Sequence, residues 1–165
     1  MIWQGFQLEF IYLNSAQISR PMKNLAPALC LLAFSSAAQF EKEKQVVIHD
    51  IEKKYDVDTA AAKEIWSYAE LGFLEEKSAQ TLQDLLEKDG FHIESGVAGM
   101  PTAFVATYGS GKPVIGILAE YDALPGLSQH AVPTRQPVVD GGSGHGCGHN
   151  LFGTASAASA IALKN

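Results

Sequence analysis

The stretch Gly141-Gly142-Ser143-Gly144-His145-Gly146-Cys147-Gly148-His149-Asn150-Leu151-Phe152-Gly153-Thr154 decides how this chain is read. It places one cysteine and two histidines within five residues, among glycines that let a backbone turn tightly and approach an ion or ligand closely. Thiolate and imidazole are preferred ligands of zinc and related metals. Asn150 is a good helix N-cap, and residues 151–164 are rich in helix formers. The expectation is a glycine-rich loop that carries soft ligands onto the start of a helix.

Working back from this loop, residues 123–146 carry little regular pattern and have prolines at 125, 133 and 137. A long irregular loop inside a compact domain is usually functional or mobile. Before it, Val114-Ile115-Gly116-Ile117-Leu118-Ala119 is nearly all apolar, which predicts a central strand covered on both faces. That run leads into Glu120-Tyr121-Asp122, and carboxylates at the C-terminal end of a strand lie where ligands bind in open α/β sheets.

Further upstream, period two and β-branched residues predict strands at 91–95 and 102–108, with a turn at 109–113. Helical spacing predicts a helix at 41–55 with Val47, Ile48 and Ile51 as its buried stripe. A second helix at 60–71 is capped by Asp58 or Thr59, with Ile65, Trp66 and Ala69 inward. A third at 75–88 buries Ala79, Leu82, Leu85 and Leu86. Glu70 reads as a solvated helix end, and His49 and His92 as isolated surface or packing residues. Helices, then strands, then strand-loop-helix make an α/β layered domain.

The first forty residues read as an address. Met22-Lys23-Asn24 is a basic start, residues 25–34 are apolar apart from Pro27, and Ser36-Ala37-Ala38 resembles a cleavage site before Gln39. Residues 22–38 are therefore expected to be a signal peptide for a periplasmic or secreted product, with a buried N-terminal helix as the alternative. Residues 1–21 are expected to be an upstream extension, with translation starting at Met22. The domain proper is 39–165. The apolar run is too short to span a bilayer comfortably, so no membrane partner is expected. A net charge of −6 argues against nucleic acid, and two cysteines imply no disulfide framework.

Cys147 and His149 are two ligands, and zinc needs three or four. Glu120, Asp122, His130, Asp140 and His145 are the local candidates for the others. A nucleophilic Cys147 at a helix N-terminus, paired with a distant histidine, is the rival. A dinucleotide loop fails, because Cys147 stands where G-x-G-x-x-G requires its last glycine. Asp122 is either a turn-forming residue before Ala123-Leu124-Pro125-Gly126 or a carboxylate that orients a metal-bound histidine.

Two motifs, Ile117-Leu118-Ala119-Glu120-Tyr121-Asp122-Ala123-Leu124-Pro125-Gly126-Leu127 and residues 144–154, occur in an order and spacing that resemble the amidohydrolase branch of the zinc metallopeptidases. That branch includes aminoacylases and carboxypeptidase G, and the resemblance is strongest to aminobenzoyl-glutamate hydrolases. Ser67-Tyr68-Ala69-Glu70-Leu71-Gly72-Phe73 also fits.

The resemblance implies a partial three-layer catalytic domain, with helices around a mixed sheet and the lid domain absent. It implies hydrolysis of the amide bond in N-acyl or N-aroyl amino acids, or in dipeptides, with two divalent metal ions. Zinc is favoured over manganese or cobalt. Cys147 and His149 would be ligands, His145 a further possible one, and Asp122 the carboxylate behind the site. The general base, a glutamate, would lie beyond Asn165, and the full-length enzyme would be a homodimer. The chain by itself is then expected to be an inactive fragment that binds metal weakly, or a non-catalytic metal-binding remnant.

Overall fold

The structure, a computed structural model, describes residues 25–164. The upstream extension and the basic start at Met22 lie outside the described residues. The chain divides into two units, residues 1–42 and 43–165. The described part of the first is the beginning of a long helix, α1 (Leu25–Lys53). No helix among the described residues is long and apolar enough to cross a membrane.

The second unit contains the end of α1 and then α2 (Tyr55–Tyr68), α3 (Glu76–Lys88), β1 (His92–Ser95), β2 (Phe104–Thr107) and α4 (His149–Lys164). The α/β class holds. Its core is made where α2, α3 and α4 meet: Ile65, Leu82, Leu85, Leu86, Phe91, Ala157 and Ile161 are buried together, with Ile93, Phe104 and Tyr121 packed against them. In α3, Ala79, Leu82, Leu85 and Leu86 are buried, as the 3–4 spacing requires. In α2 it is Ile65 that is fully buried, and Trp66 is half-buried.

Strands β1 and β2 form an antiparallel pair in which His92 faces Thr107 and Ser95 faces Phe104. This register turns Ile93 and Ala106 toward the helices and leaves Glu94 and Val105 outward.

Three expectations are corrected. Residues 114–119 do not form a strand: Val114, Ile115 and Leu118 are 85%, 72% and 73% exposed. A strand needs a neighbour for its backbone groups, and among the described residues the sheet contains only β1 and β2. The stripe at Ile48 and Ile51 is also exposed, at 37% and 41%. Asn150 is not a cap. It lies inside the first turn of α4, buried, and its side-chain amide donates to the Ala62 carbonyl at 3.1 Å, tying α4 to α2.

Helix α4 packs closely on the segment that leads to Asp122. The Ser156 hydroxyl donates to the Leu118 carbonyl at 2.8 Å. A Cβ on Gly153 would lie 2.9 Å from the Glu120 carbonyl oxygen, so only glycine allows this approach.

Candidate metal centre

The site is assembled from three irregular segments around the start of α4. The first follows α2. Here the Ala123 amide donates to the Glu70 carbonyl at 2.7 Å, the Ser143 hydroxyl donates to the Ala69 carbonyl, and Leu71 bridges Ala123 in parallel sense. The second and third segments are joined at Leu124 and Gly144, whose amides and carbonyls exchange two bonds of 3.0 Å. A Cβ on Gly144 would fall 2.0 Å from the Leu127 carbonyl oxygen. The glycine there is a condition of the two segments lying side by side.

Glu70 is not a solvated helix end. Its carboxylate accepts from the amides of Lys77 (3.1 Å) and Ser78 (2.9 Å) and from the Ser78 hydroxyl (2.8 Å). It thus serves N–H groups in the first turn of α3 that have no partner within the helix, where Glu75 at the cap position makes no side-chain cap. The sequence signal was weak, because the acceptor sits seven and eight residues from its donors. Behind the site, the Thr102 hydroxyl donates to buried Glu75 at 2.8 Å, and the Tyr121 hydroxyl donates to the Thr102 carbonyl. Burial, and then the charge of Glu75, push the Tyr121 phenol up to about 12, so it remains a donor.

On this frame Glu120, Asp122 and His149 converge, with one ligand atom of each within 4.8 Å of the others. Asp122 Oδ1 lies 2.8 Å from Nδ1 of His149, and Glu120 Oε2 lies 3.0 Å from its Nε2. With the Nδ1 proton donated to Asp122, the Nε2 lone pair points at a carboxylate oxygen. Two such atoms this close need a proton or a cation between them. Nitrogen and oxygen ligands at zinc distances on a tetrahedral ion sit roughly 3.3 Å apart, close to the separation seen here. Glu120 and His149 thus offer one oxygen and one nitrogen, two of the three or four ligands that a zinc ion takes. With a proton in place of the ion, the same geometry is an imidazolium held by two carboxylates.

The other candidates lie elsewhere. Cys147 is exposed and outside this group. His145 turns away: its Nε2 donates to the Ile65 carbonyl at 3.0 Å, and its buried Nδ1 meets no partner among the described residues. Burial holds its imidazole below the ordinary value, against the upward pull of that carbonyl. His130 and Asp140 are exposed and outside the group as well.

No family model matches the sequence. Among curated proteins it is 52% identical over 108 residues to a component of the p-aminobenzoyl-glutamate hydrolase of Escherichia coli (strain K12), covering 64% of this chain and 22% of that protein. It is 30% identical over 140 residues to Xaa-Arg dipeptidase of Mus musculus, covering 79% of this chain and 29% of that one. The chain is related to the amidohydrolase branch of the metallopeptidases. Thermostable carboxypeptidase 1 of Saccharolobus solfataricus, 30% identical over 104 residues, covers 62% of this chain and 26% of its own length. The chain thus spans about a quarter of the length of these relatives.

Proposed function

We propose that this chain carries the metal-binding part of a hydrolase that cleaves the amide bond of N-acyl or N-aroyl amino acids, of the aminobenzoyl-glutamate kind. The observation that carries this reading is the bridging of His149 between Asp122 at 2.8 Å and Glu120 at 3.0 Å. The names of the relatives support the bond and the substrate class. A dipeptide is the second substrate class, favoured by the relation to Xaa-Arg dipeptidase.

Glu120 and His149 would hold the ion, and Cys147, between two glycines, would reach it by a turn of the loop. When bound, the ion supplies a polarised amide carbonyl and an activated water at neutral pH. The residues of the chain do the rest. Asp122 accepts the Nδ1 proton of His149, fixes the tautomer and keeps the Nε2 lone pair toward the ion. Helix α4 and the Gly144–Leu124 pairing hold these groups at one place. No residue described here is assigned as general base, and a glutamate outside this chain fills that role in the proposal. A pair of ions, zinc as the preferred metal and a homodimeric enzyme complete it.

Zinc titration of the purified chain tests the site. Binding that falls at least about 100-fold in H149A supports it, and equal binding by both proteins sinks it. Release of aminobenzoate from aminobenzoyl-glutamate by the metal-loaded full-length protein, measured beside dipeptide cleavage, separates the two substrate classes.

In the same proposal residues 22–38 direct export to the periplasm or medium. N-terminal sequencing of the mature protein should start at Gln39, and a retained Met22 overturns that part.

A further inference from the structure

Three side chains of the glycine-rich loop and the start of α4 end on backbone carbonyls of α2. The Ser143 hydroxyl donates to Ala69, Nε2 of His145 donates to Ile65 at 3.0 Å, and the Asn150 amide donates to Ala62 at 3.1 Å. The acceptors are spaced by three and four residues, so they fall on one face of the helix. They run down to Ala69, where the chain leaves α2 in the left-handed region with φ of 45°. The Ile65 carbonyl already accepts the Ala69 amide at 3.2 Å, the bond that closes the helix. A carbonyl has two lone pairs, and His145 takes the second.

These ties bracket the candidate ligands. His145 precedes Cys147 and His149, and Asn150 follows them directly. Gly146 and Gly148 lie between the ties and give the loop little stiffness of its own, so its path must be set from outside. The other half of the centre hangs from the same place. The Ala123 amide, next to Asp122, donates to the Glu70 carbonyl just beyond Ala69.

A carbonyl only accepts, so Nε2 of His145 carries the ring proton and Nδ1 is the lone pair. That Nδ1 is buried without a partner among the described residues, and His145 does not converge with Glu120, Asp122 and His149. We infer that His145 is a positioning residue. By holding the loop to the Ile65 carbonyl it sets where His149 meets Asp122 and Glu120, and it takes no place on the ion. Helix α2 is then the template on which both halves of the centre are laid. This rests on the metal-binding reading of Glu120 and His149 for what is positioned.

The experiment compares wild type, H145A and H145Q in two measurements. One is zinc affinity, by competition with a chromophoric chelator. The other is solvent exchange of the His149 Nδ1 proton in the metal-free chain, from long-range proton–nitrogen spectra of the imidazole rings. A glutamine side-chain amide donates as Nε2 does, yet it is not among the usual zinc ligands. H145A should weaken zinc binding about tenfold, the lower end of the loss when a group supporting a ligand is removed. H145Q should restore most of it. The His149 proton, held by Asp122, should be protected in wild type and H145Q and exposed to exchange in H145A.

Zinc affinity in H145A equal to that of wild type overturns the inference, because His145 then serves stability alone. H145Q as weak as H145A also overturns it, since a histidine that this donor cannot replace is a ligand. Equal protection of the His149 proton in all three proteins does the same. S143A removes a tie to the same face without touching an imidazole, and it decides the matter if H145A fails to fold: weaker zinc binding upholds the template, and unchanged binding overturns it. A wild-type chain that binds no zinc, but whose His149 proton is protected only with His or Gln at 145, keeps the positioning role and discards the metal-binding reading.

Discussion

Nδ1 of His149 lies 2.8 Å from Oδ1 of Asp122, and the two residues are 27 positions apart in the chain. The bond sets which imidazole nitrogen is left with a lone pair. Asp122→Ala should lower zinc affinity about 10- to 100-fold, the usual cost of losing the carboxylate behind a histidine ligand. Competition with a chromophoric chelator measures it, and an unchanged affinity removes Asp122 from the site.

Cys147 separates two versions of the centre. If its thiolate joins Glu120 and His149, the cobalt-loaded chain shows a near-ultraviolet sulfur-to-cobalt band that disappears in C147S. The expected outcome is that loss. The same spectrum in both proteins places Cys147 outside the metal's ligands.

Gly153 is the point where α4 touches the Glu120 backbone. Gly153→Ala puts a methyl 2.9 Å from the Glu120 carbonyl oxygen and 3.1 Å from Leu82 Cδ1. The helix must shift, at a cost of about 1–3 kcal/mol in urea unfolding. Zinc affinity should fall with it, because the shift moves Glu120. A variant as stable as wild type contradicts the packing.

Glu70 holds the first turn of α3 from outside the helix. Glu70→Ala should cost about 1–2 kcal/mol, in the range of a lost cap, and Glu70→Gln less. Thermal unfolding of the two variants beside wild type gives the order, and equal midpoints refute the role.

Asp89 ties three elements together. Its carboxylate is paired with Lys54, which lies between α1 and α2, and with Lys164 at the end of α4. Burial acts to raise its pKa, but the hydrogen bond and charge of Lys54, followed by those of Lys164, hold it below the usual carboxylate range. A lowered folded value means the ionised form favours folding. The contribution is therefore present above the unfolded value of about 4 and is lost as pH falls through the folded one. Asp89→Asn should lower stability at pH 7 by about 1 kcal/mol, less than a buried pair because all three groups keep some solvent contact. It should also flatten the acid limb of the stability curve below pH of about 4. An unchanged acid limb contradicts this.

Much of the fold was legible because helices α2, α3 and α4 carry their own evidence. Apolar spacing and helix formers are local properties, and Leu82, Leu85 and Leu86 stand where the 3–4 pattern puts them. The hairpin was legible for the same reason, from alternation in short runs ended by Gly96 and Gly109. The run at 114–119 was not, since its apolar pattern speaks of burial while strand formation depends on a neighbour that the described residues do not supply.

Residue types and order alone determined that imidazole, thiolate and carboxylate gather near a glycine-rich loop, because ligand chemistry belongs to side chains and tight turns belong to glycine. Only tertiary structure decided which of them meet. It brought Glu120 and Asp122 to His149, turned His145 toward the Ile65 carbonyl, and sent Glu70 to the amides of α3. The pairings of His149 and His145 span 27 and 80 residues of chain, whose path is set by how α4 packs on α2 and α3, and no local pattern records that path.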